Sequence, residues 1–514
     1  MPLVPVRDSA VIYCNAEDTI FLIDTPLSIA LAQNLSRYES TREEVQPVIS
    51  SDDPTAVPQE RSRTKRRLLR STRPLERPFP STEPKSLAAR KKLLEKVPFS
   101  EQRYHDEFIQ PLVRSALEMI SAGHGGQEHP WCLPRVLCDD PRTRESSKSP
   151  SEGLQPVKKR PRGSSSGLSS GPMQSSKCNS FGSIPPLILS STSDNIFHSL
   201  NELSECVVKN VFAEPATIVI ESPSDGLGPN EFIIPPRADF TMCTLPLSPA
   251  ESSGQYSRIK SLDQPIPTIP SSHKFNVLLF DPPWPNRSVR RSGHYQIHPY
   301  SEMAILTQRL RDILRVHSYH ADAKLNHPDT TTLTRSSLSQ SRLSVAGIWI
   351  TNAEKARRAA YEALITSGFR ITEEWIWIKT TADGQPICPI DGLWRKPYEI
   401  LVVGRADPTG SAISAEERHD TWTKSNDLLG VDPGSIRRRV IAAVPDLHSR
   451  KPSLKELFER IFFMEKEGGL RVQSYSAMEI FARNLTAGWL ACGNEVLKFN
   501  ARECWAEAPA VEDA

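Results

Sequence analysis

Asp281, Pro282, Pro283 and Trp284 set a carboxylate, two prolines and an indole in succession after the apolar run Phe275 to Phe280. Such a run is typical of a strand buried on both faces of an α/β sheet. In open α/β sheets, ligands bind outside the carboxyl ends of the strands. The prolines fix φ and carry no N–H, so the turn is stiff and its carbonyls point outward. The Asp281 carboxylate and the Pro282 carbonyl are then two acceptors close together, and Trp284 offers a large flat face. That set suits an exocyclic amine on a planar ring, such as adenine N6 with its two N–H donors. Holding both hydrogens makes the nitrogen more nucleophilic. An indole can also hold an unstacked base, at ~1–3 kcal/mol per base. The plain structural alternative is a rigid turn followed by a core tryptophan.

The segment after this turn, Asn286 to Tyr300, carries Arg287, Arg290, Arg291, His294 and His298 among Tyr295 and Tyr300. Cations among aromatics suit a loop that binds phosphate and stacks bases. Thr380 to Trp394 is the candidate facing loop, with Trp377 and Lys379 before it and Lys396 just beyond. His124, His129, Cys132 and Cys138 match no standard zinc spacing, so no metal site is expected.

The elements that must position these residues alternate. Strands are expected at Phe275–Phe280, Val345–Ile350, Ile371–Lys379, Tyr398–Val403, Val440–Val444 and Met478–Phe481. Helices are expected at Glu302–Val316, Ala353–Ser367 and Ser453–Met464, with a polar insertion at His320–Ser344. That order indicates a wound α/β sheet. Upstream, residues 1–40 read as a small strand/helix element and 41–86 as a low-complexity basic segment. An accessory helical segment follows at 87–138, with Phe108, Leu112, Ala116, Met119 and Ile120 as its apolar stripe. A basic linker at 139–185 is too poor in apolar residues to order itself. Residues 190–270 read as a helix and strands leading into a catalytic domain at 271–505. That helix is the apolar stripe Ile196 to Val211, capped by Ser193, and the strands are Ala216–Glu221 and Glu231–Pro236.

Composition agrees with a folded part plus loose connectors. Of 514 residues, 44 are proline and 24 glycine, and 38% are hydrophobic. Lysine and arginine total 63 against 61 acids, a net charge of +2, which excludes a histone-like polycation but not a local basic face. The basic clusters Arg61 to Arg67 and Val157 to Arg162 sit in exposed contexts, and the second reads as a nuclear import signal. The nine cysteines form no C-x-x-C pair and read as reduced thiols of an intracellular protein. No apolar run approaches the ~20 residues of a membrane span, and the N-terminus lacks a signal-peptide core. No long heptad or large apolar stripe marks an obligate partner helix; the expected active form is a monomer, with a protein partner left open.

The D-P-P-W motif resembles that of the eukaryotic adenine-N6 methyltransferases. Asp281 to Ser292, K-P-Y-E-I-L-V-V-G-R (Lys396 to Arg405) and Glu479 to Phe499 are similar to the methyltransferase-like protein four branch of that family. The resemblance covers about residues 231–499. It implies a permuted Rossmann-like fold with S-adenosylmethionine as cofactor. It implies nucleic acid as partner, RNA ahead of DNA, and within RNA an internal 2′-O-methylated adenosine of a spliceosomal small nuclear RNA. A catalytically silent subunit on the same fold is the alternative.

By the same resemblance, Asp281, Pro282, Pro283 and Trp284 would be catalytic. Lys451, in S-R-K-P, would pair with the methionine carboxylate of the cofactor. A cation beside a helix N-terminus is independently a sound anion site. Arg483 would contact the ribose, and Asn494 and Glu495 would hold ribose and adenine. Met242 and Cys243 fall in a segment, Phe240 to Thr244, that often carries an adenine-contacting acid; here Cys243 and Thr244 stand instead. Asn286, Arg287, Arg290, Arg291, Tyr295, Trp377, Lys379 and Lys396 would face the substrate.

Overall fold

The computed structural model describes residues 7–35, 67–81, 83–125, 129–138, 185–204, 206–221, 230–245, 264–284, 303–320, 343–393, 395–407, 433–465 and 471–508. Its centre is a twelve-stranded mixed sheet. From one edge it runs β1 (Val11–Cys14), β2 (Ile20–Ile23), β15 (Arg437–Ala443), β13 (Phe369–Lys379), β14 (Tyr398–Ala406) and β12 (Val345–Ile350). It continues through β11 (Val277–Phe280), β16 (Ala477–Ile480), β17 (Leu490–Gly493), β10 (Asp239–Met242), β7 (Val207–Lys209) and β5 (Leu187–Ile188). β11 lies between β12 and β16 and runs parallel to both. Two three-stranded sheets flank it: β18 (Trp505–Glu507), β3 (Arg67–Ser71) and β4 (Val136–Leu137), and β6 (Asn195–Phe197), β8 (Ala216–Ile220) and β9 (Asn230–Ile234).

The α/β expectation is met, and the sheet has the Rossmann-like character that the strand–helix alternation implies. β11 and β12 are buried at every residue. Because successive side chains point to opposite faces, β11 feeds two cores. Leu278 and Phe280 pack with Leu310, Ile348 and Ile480 on one side; Val277 and Leu279 pack with Trp349, Leu457 and Trp489 on the other. At ~1.5–3 kcal/mol for each large apolar side chain removed from water, this double burial holds the strand that ends at Asp281.

The N-terminal element forms two strands and a helix, as expected, and β2 extends the large sheet by pairing parallel with β15. The helix Thr25–Ala32 starts where the Asp24 carboxylate accepts from the Leu27 N–H at 2.8 Å.

Four local expectations change. The stripe from Ile196 to Val211 is not a helix; it forms β6, a 3₁₀ turn over Leu200–Leu203, and β7. Its β-branched valines and the open edges beside β8 and β10 make pairing the better use of the backbone. Ser199 and Glu202 form a capping box, but it closes only that one turn. In the accessory segment, a π-helical stretch over Tyr104–Ile109 precedes the helix Gln110–Gly123. The extra residue in that turn shifts the buried face to Ile109, Val113, Ala116 and Ile120, and Met119 is exposed. The helix after Lys451 is α-helical only over Lys455–Phe458 and continues as a π turn to Phe463. β3 arises inside the segment read as low complexity, where Leu68 and Leu69 are buried and pair with β18.

The two basic clusters (apart from Arg67, which begins β3), the linker and the polar insertion between residues 321 and 342 lie outside the described residues. No helix among the described residues is long and apolar enough to cross a membrane.

Candidate active site

Asp281 follows β11, and its N–H donates to the Ile480 carbonyl of β16 at 3.1 Å, extending the ladder by one residue. Its carboxylate is anchored twice. Lys451 Nζ lies 2.9 Å from Oδ1 and Arg483 Nη1 3.5 Å from Oδ2. Lys451 also reaches Glu399 Oε2 at 2.9 Å, and Glu399 Oε1 accepts from Lys379 Nζ at 2.5 Å. On the other side, Arg483 Nε is 3.3 Å from Glu495 Oε2, and Lys498 Nζ is 3.0 Å from Glu495 Oε1. The result is one chain of alternating charge: Lys379, Glu399, Lys451, Asp281, Arg483, Glu495, Lys498.

Burial opposes the charges of Glu399 and Lys451, and their partners outweigh it. Desolvation alone would raise the Glu399 carboxyl, yet the Lys379 and Lys451 charges hold it far below the usual carboxylate range. Desolvation likewise works against the Lys451 ammonium, and Asp281 and Glu399 raise its pKa instead. Glu479, on β16, behaves oppositely. Burial and then the Asp281 charge push it up to about 8, against the pull of Lys451 and Arg483. Glu479 is therefore a neutral carboxyl at pH 7, next to Asp281.

Asp281, Trp349, Lys451, Glu479, Arg483 and Asn484 line one pocket at the carboxyl ends of β11 and β16. Two strained backbones border it. Ser449 and Phe481 adopt φ of 66° and 62°, left-handed values that non-glycine residues take at a cost of ~1–2 kcal/mol. Gly493, at φ 154°, packs where an added Cβ would lie 3.3 Å from the Phe481 Cα. A side chain there would press on the chain leaving β16.

Trp284 is fixed by its indole Nε1–H, which donates to the Trp349 carbonyl at 2.6 Å. The Pro282 carbonyl differs from the expected free acceptor: it accepts the Trp284 N–H at 2.8 Å. A carbonyl has two lone pairs, so one acceptor site remains. Pro283 is the central residue of that tight turn.

The remaining predicted residues divide. Lys379 joins the charged chain and lies 4.6 Å over the Trp377 ring, which meets Trp349 edge-on at 6.1 Å. Lys396 stands apart. Its Nζ donates to the Gly392 carbonyl at 3.4 Å, and the acids that act on its charge are Asp106 and Glu101 of the accessory segment, with Asp391 and Glu83. Asn494 is exposed at the end of β17, and Met242 and Cys243 lie half-buried at the end of β10. Asn286, Arg287, Arg290, Arg291 and Tyr295 lie outside the described residues. Glu399, Glu479 and Trp349 received no role from the sequence. The signal for Glu479 was a carboxylate inside a strand otherwise apolar, and for Glu399 a carboxylate just before the apolar run Ile400–Val403; Trp349 in an apolar strand carried none.

A mixed α/β sheet with an acidic, aromatic turn and a cationic pocket at the carboxyl ends of its parallel strands belongs to the Rossmann-like class of ligand-binding domains. Within that class, residues 275–495 match the MT-A70 family model. It is 34% identical over 250 residues to the N6-methyladenosine RNA methyltransferase MTA1 of Pyricularia oryzae, covering 47% of this chain and 52% of that protein. It is 29% identical over 254 residues to the N(6)-adenine-specific methyltransferase METTL4 of Mus musculus, covering 49% and 43%. It is 23% identical over 279 residues to a DNA N6-methyl methyltransferase of Caenorhabditis elegans, covering 54% and 55%. The chain thus spans about half the length of these curated relatives.

Proposed function

We propose that this protein is an S-adenosylmethionine-dependent methyltransferase that acts on adenine N6 in nucleic acid. The observation that carries the reading is the Asp281 carboxylate held between Lys451 and Arg483 at the end of β11. The donor set fits the cofactor's amino-acid end: Lys451 offers a cation to a carboxylate, and Asp281 and Glu479 offer acceptors to an ammonium. Arg483, Glu495 and Asn494 offer the paired polar groups that ribose hydroxyls need. When bound, S-adenosylmethionine supplies an electrophilic methyl group on a sulfonium.

The chain's own residues supply alignment. Asp281 and the remaining lone pair of the Pro282 carbonyl accept from the two N6 hydrogens and fix the direction of the nitrogen lone pair. Trp284, held by Trp349, supports the base against its face. Well-oriented reactants gain up to ~7–11 kcal/mol over free encounter, so positioning outweighs any need for a strong base. Once methylated, the nitrogen would be acidic and would pass its proton to Asp281 or to water.

Among substrates, RNA is favoured, as an internal 2′-O-methylated adenosine of a spliceosomal small nuclear RNA, because three stretches of sequence resemble the branch with that activity. The names of the relatives support RNA and DNA alike. Nuclear location rests on the basic cluster Val157 to Arg162. The test is Asp281→Ala, assayed on matched RNA, 2′-O-methyl RNA and DNA oligonucleotides. Loss of methyl transfer with an unchanged unfolding transition supports the proposal; unchanged turnover refutes it.

A further inference from the structure

Two thiols meet between β10 and β17, adjacent interior strands of the large sheet. Cys243 Sγ and Cys492 Sγ are 3.2 Å apart, within sulfur hydrogen-bonding distance. The contact follows from strand register. Thr241 pairs with Cys492 between β10 and β17, and Cys243, two residues on, returns to the same face. The Cys243 N–H donates to the Gly493 carbonyl at 3.2 Å, which ties the end of β10 to β17. The two sulfurs differ in access. Cys492 is fully buried, whereas Cys243 is half-buried and reaches solvent. The hydrogen bond to Cys243 and burial both push the Cys492 thiol up, so Cys492 keeps its proton.

We propose that Cys243 and Cys492 form a reversible disulfide under peroxide, a redox-sensitive clasp between β10 and β17. Hydrogen peroxide is the oxidant. The Cys243 sulfur attacks the O–O bond, forming an S–O bond, and the released hydroxide takes up the thiol proton as water. The Cys492 sulfur then displaces the sulfenic oxygen; an S–S bond forms, the S–O bond breaks, and a second water leaves with the Cys492 proton. The peroxide is reduced to two waters and the two thiols are oxidised to one disulfide. The sulfurs must close from 3.2 Å to the ~2.05 Å of a disulfide, a small move for side chains already in contact.

The clasp matters because of what adjoins it. Met242 precedes Cys243, and Gly493, Asn494 and Glu495 follow Cys492. A covalent tie between the two sulfurs would fix these two segments to one another. Its effect on cofactor binding rests on the proposed function, whereas the cross-link itself does not.

The full chain is treated with dilute hydrogen peroxide, quenched, unfolded and alkylated, then mapped by peptide mass spectrometry. The expected result is a Cys243–Cys492 cross-linked peptide that dithiothreitol removes and that Cys243→Ser and Cys492→Ala each abolish. Cys492 still fully alkylated after oxidation, or Cys243 driven to sulfinic acid with no cross-link, overturns the proposal. Titration of S-adenosylmethionine into reduced and oxidised protein is the second arm. At least tenfold weaker binding when oxidised, restored by reduction, is expected; equal affinity in both forms overturns the regulatory role. If the reduced protein does not bind the cofactor at all, the functional reading fails while the peptide map still decides the thiol pair.

Discussion

Lys451 and Asp281, 170 residues apart in the chain, form an ion pair with Nζ 2.9 Å from Oδ1, and the same ammonium bridges to Glu399. Each of the three side chains is at most a quarter exposed, so water screens them weakly. The geometry gives Lys451 two tasks: it holds Asp281 in place and presents positive charge to the pocket. Lys451→Met keeps much of the stem's packing and removes the charge. Cofactor binding is expected to weaken by at least tenfold, about 1.4 kcal/mol, as read by calorimetric titration. Affinity within twofold of the parent would remove Lys451 from the site.

Trp284 is the one aromatic face directly after the Asp281 turn, and its orientation depends on the bond to the Trp349 carbonyl. Trp284→Ala is expected to raise the KM for an adenosine-containing oligonucleotide roughly tenfold to a hundredfold, from the ~1–3 kcal/mol of one stacked base. Trp284→Phe keeps a ring but loses the hydrogen bond, and falls between the two. An unchanged KM in the alanine variant would show that the base does not stack there.

Glu479 predicts a pH dependence. Its carboxyl is raised from an ordinary 4.5 to about 8 in the folded protein, first by burial and then by the Asp281 charge. A group raised in this way contributes stability that is full below its unfolded pKa and is lost as pH rises through the folded value. Above about 8, a second negative charge also competes with Asp281 for Lys451 and Arg483. Thermal stability should fall from about pH 4.5 to 8 and level off above, and cofactor affinity should decline as pH climbs through 8. Glu479→Gln, neutral at every pH, should flatten both profiles across that window; an unaltered slope would place the titration elsewhere.

The accessory helices are joined to the domain by a buried pair. Arg357 Nη2 lies 2.6 Å from Glu101 Oε2, with side chains 2% and 7% exposed, and the guanidinium sits 3.6 Å over the Tyr104 ring. Glu101 also meets His105, which in turn bonds the Tyr398 hydroxyl at 3.0 Å, next to Glu399. Arg357→Met leaves a buried carboxylate without its guanidinium partner, at a cost of ~3–5 kcal/mol in urea denaturation. Adding Glu101→Gln should recover part of that loss. A single variant as stable as the parent would mean that the pair does not hold the helices.

The sequence by itself determined the parts that depend on local order. The run Phe275 to Phe280 had to contain a doubly buried strand, because its last four residues, Val277 to Phe280, are all apolar, and the Asp-Pro-Pro turn had to follow at its carboxyl end. Val345–Ile350 and the helix over Glu354–Thr366 were equally plain, since a continuous apolar run and a 3.6-residue period are legible without neighbours. Where the pattern was ambiguous, tertiary pairing chose. Residues 195–209 carry an apolar stripe that suits a helix, yet they became strands because β8 and β10 offered unpaired edges. The charged chain through Glu399, Lys451, Asp281 and Arg483 was beyond any local reading. Its members come from four separate segments, and only the crossing of β11, β14 and β16 with the loop before Lys455 brings them within 4 Å. Spacing along the chain carries no record of such contacts, because Coulomb attraction acts on distance in space. The meeting of Cys243 with Cys492 has the same origin: two unremarkable thiols became a pair when β10 settled beside β17.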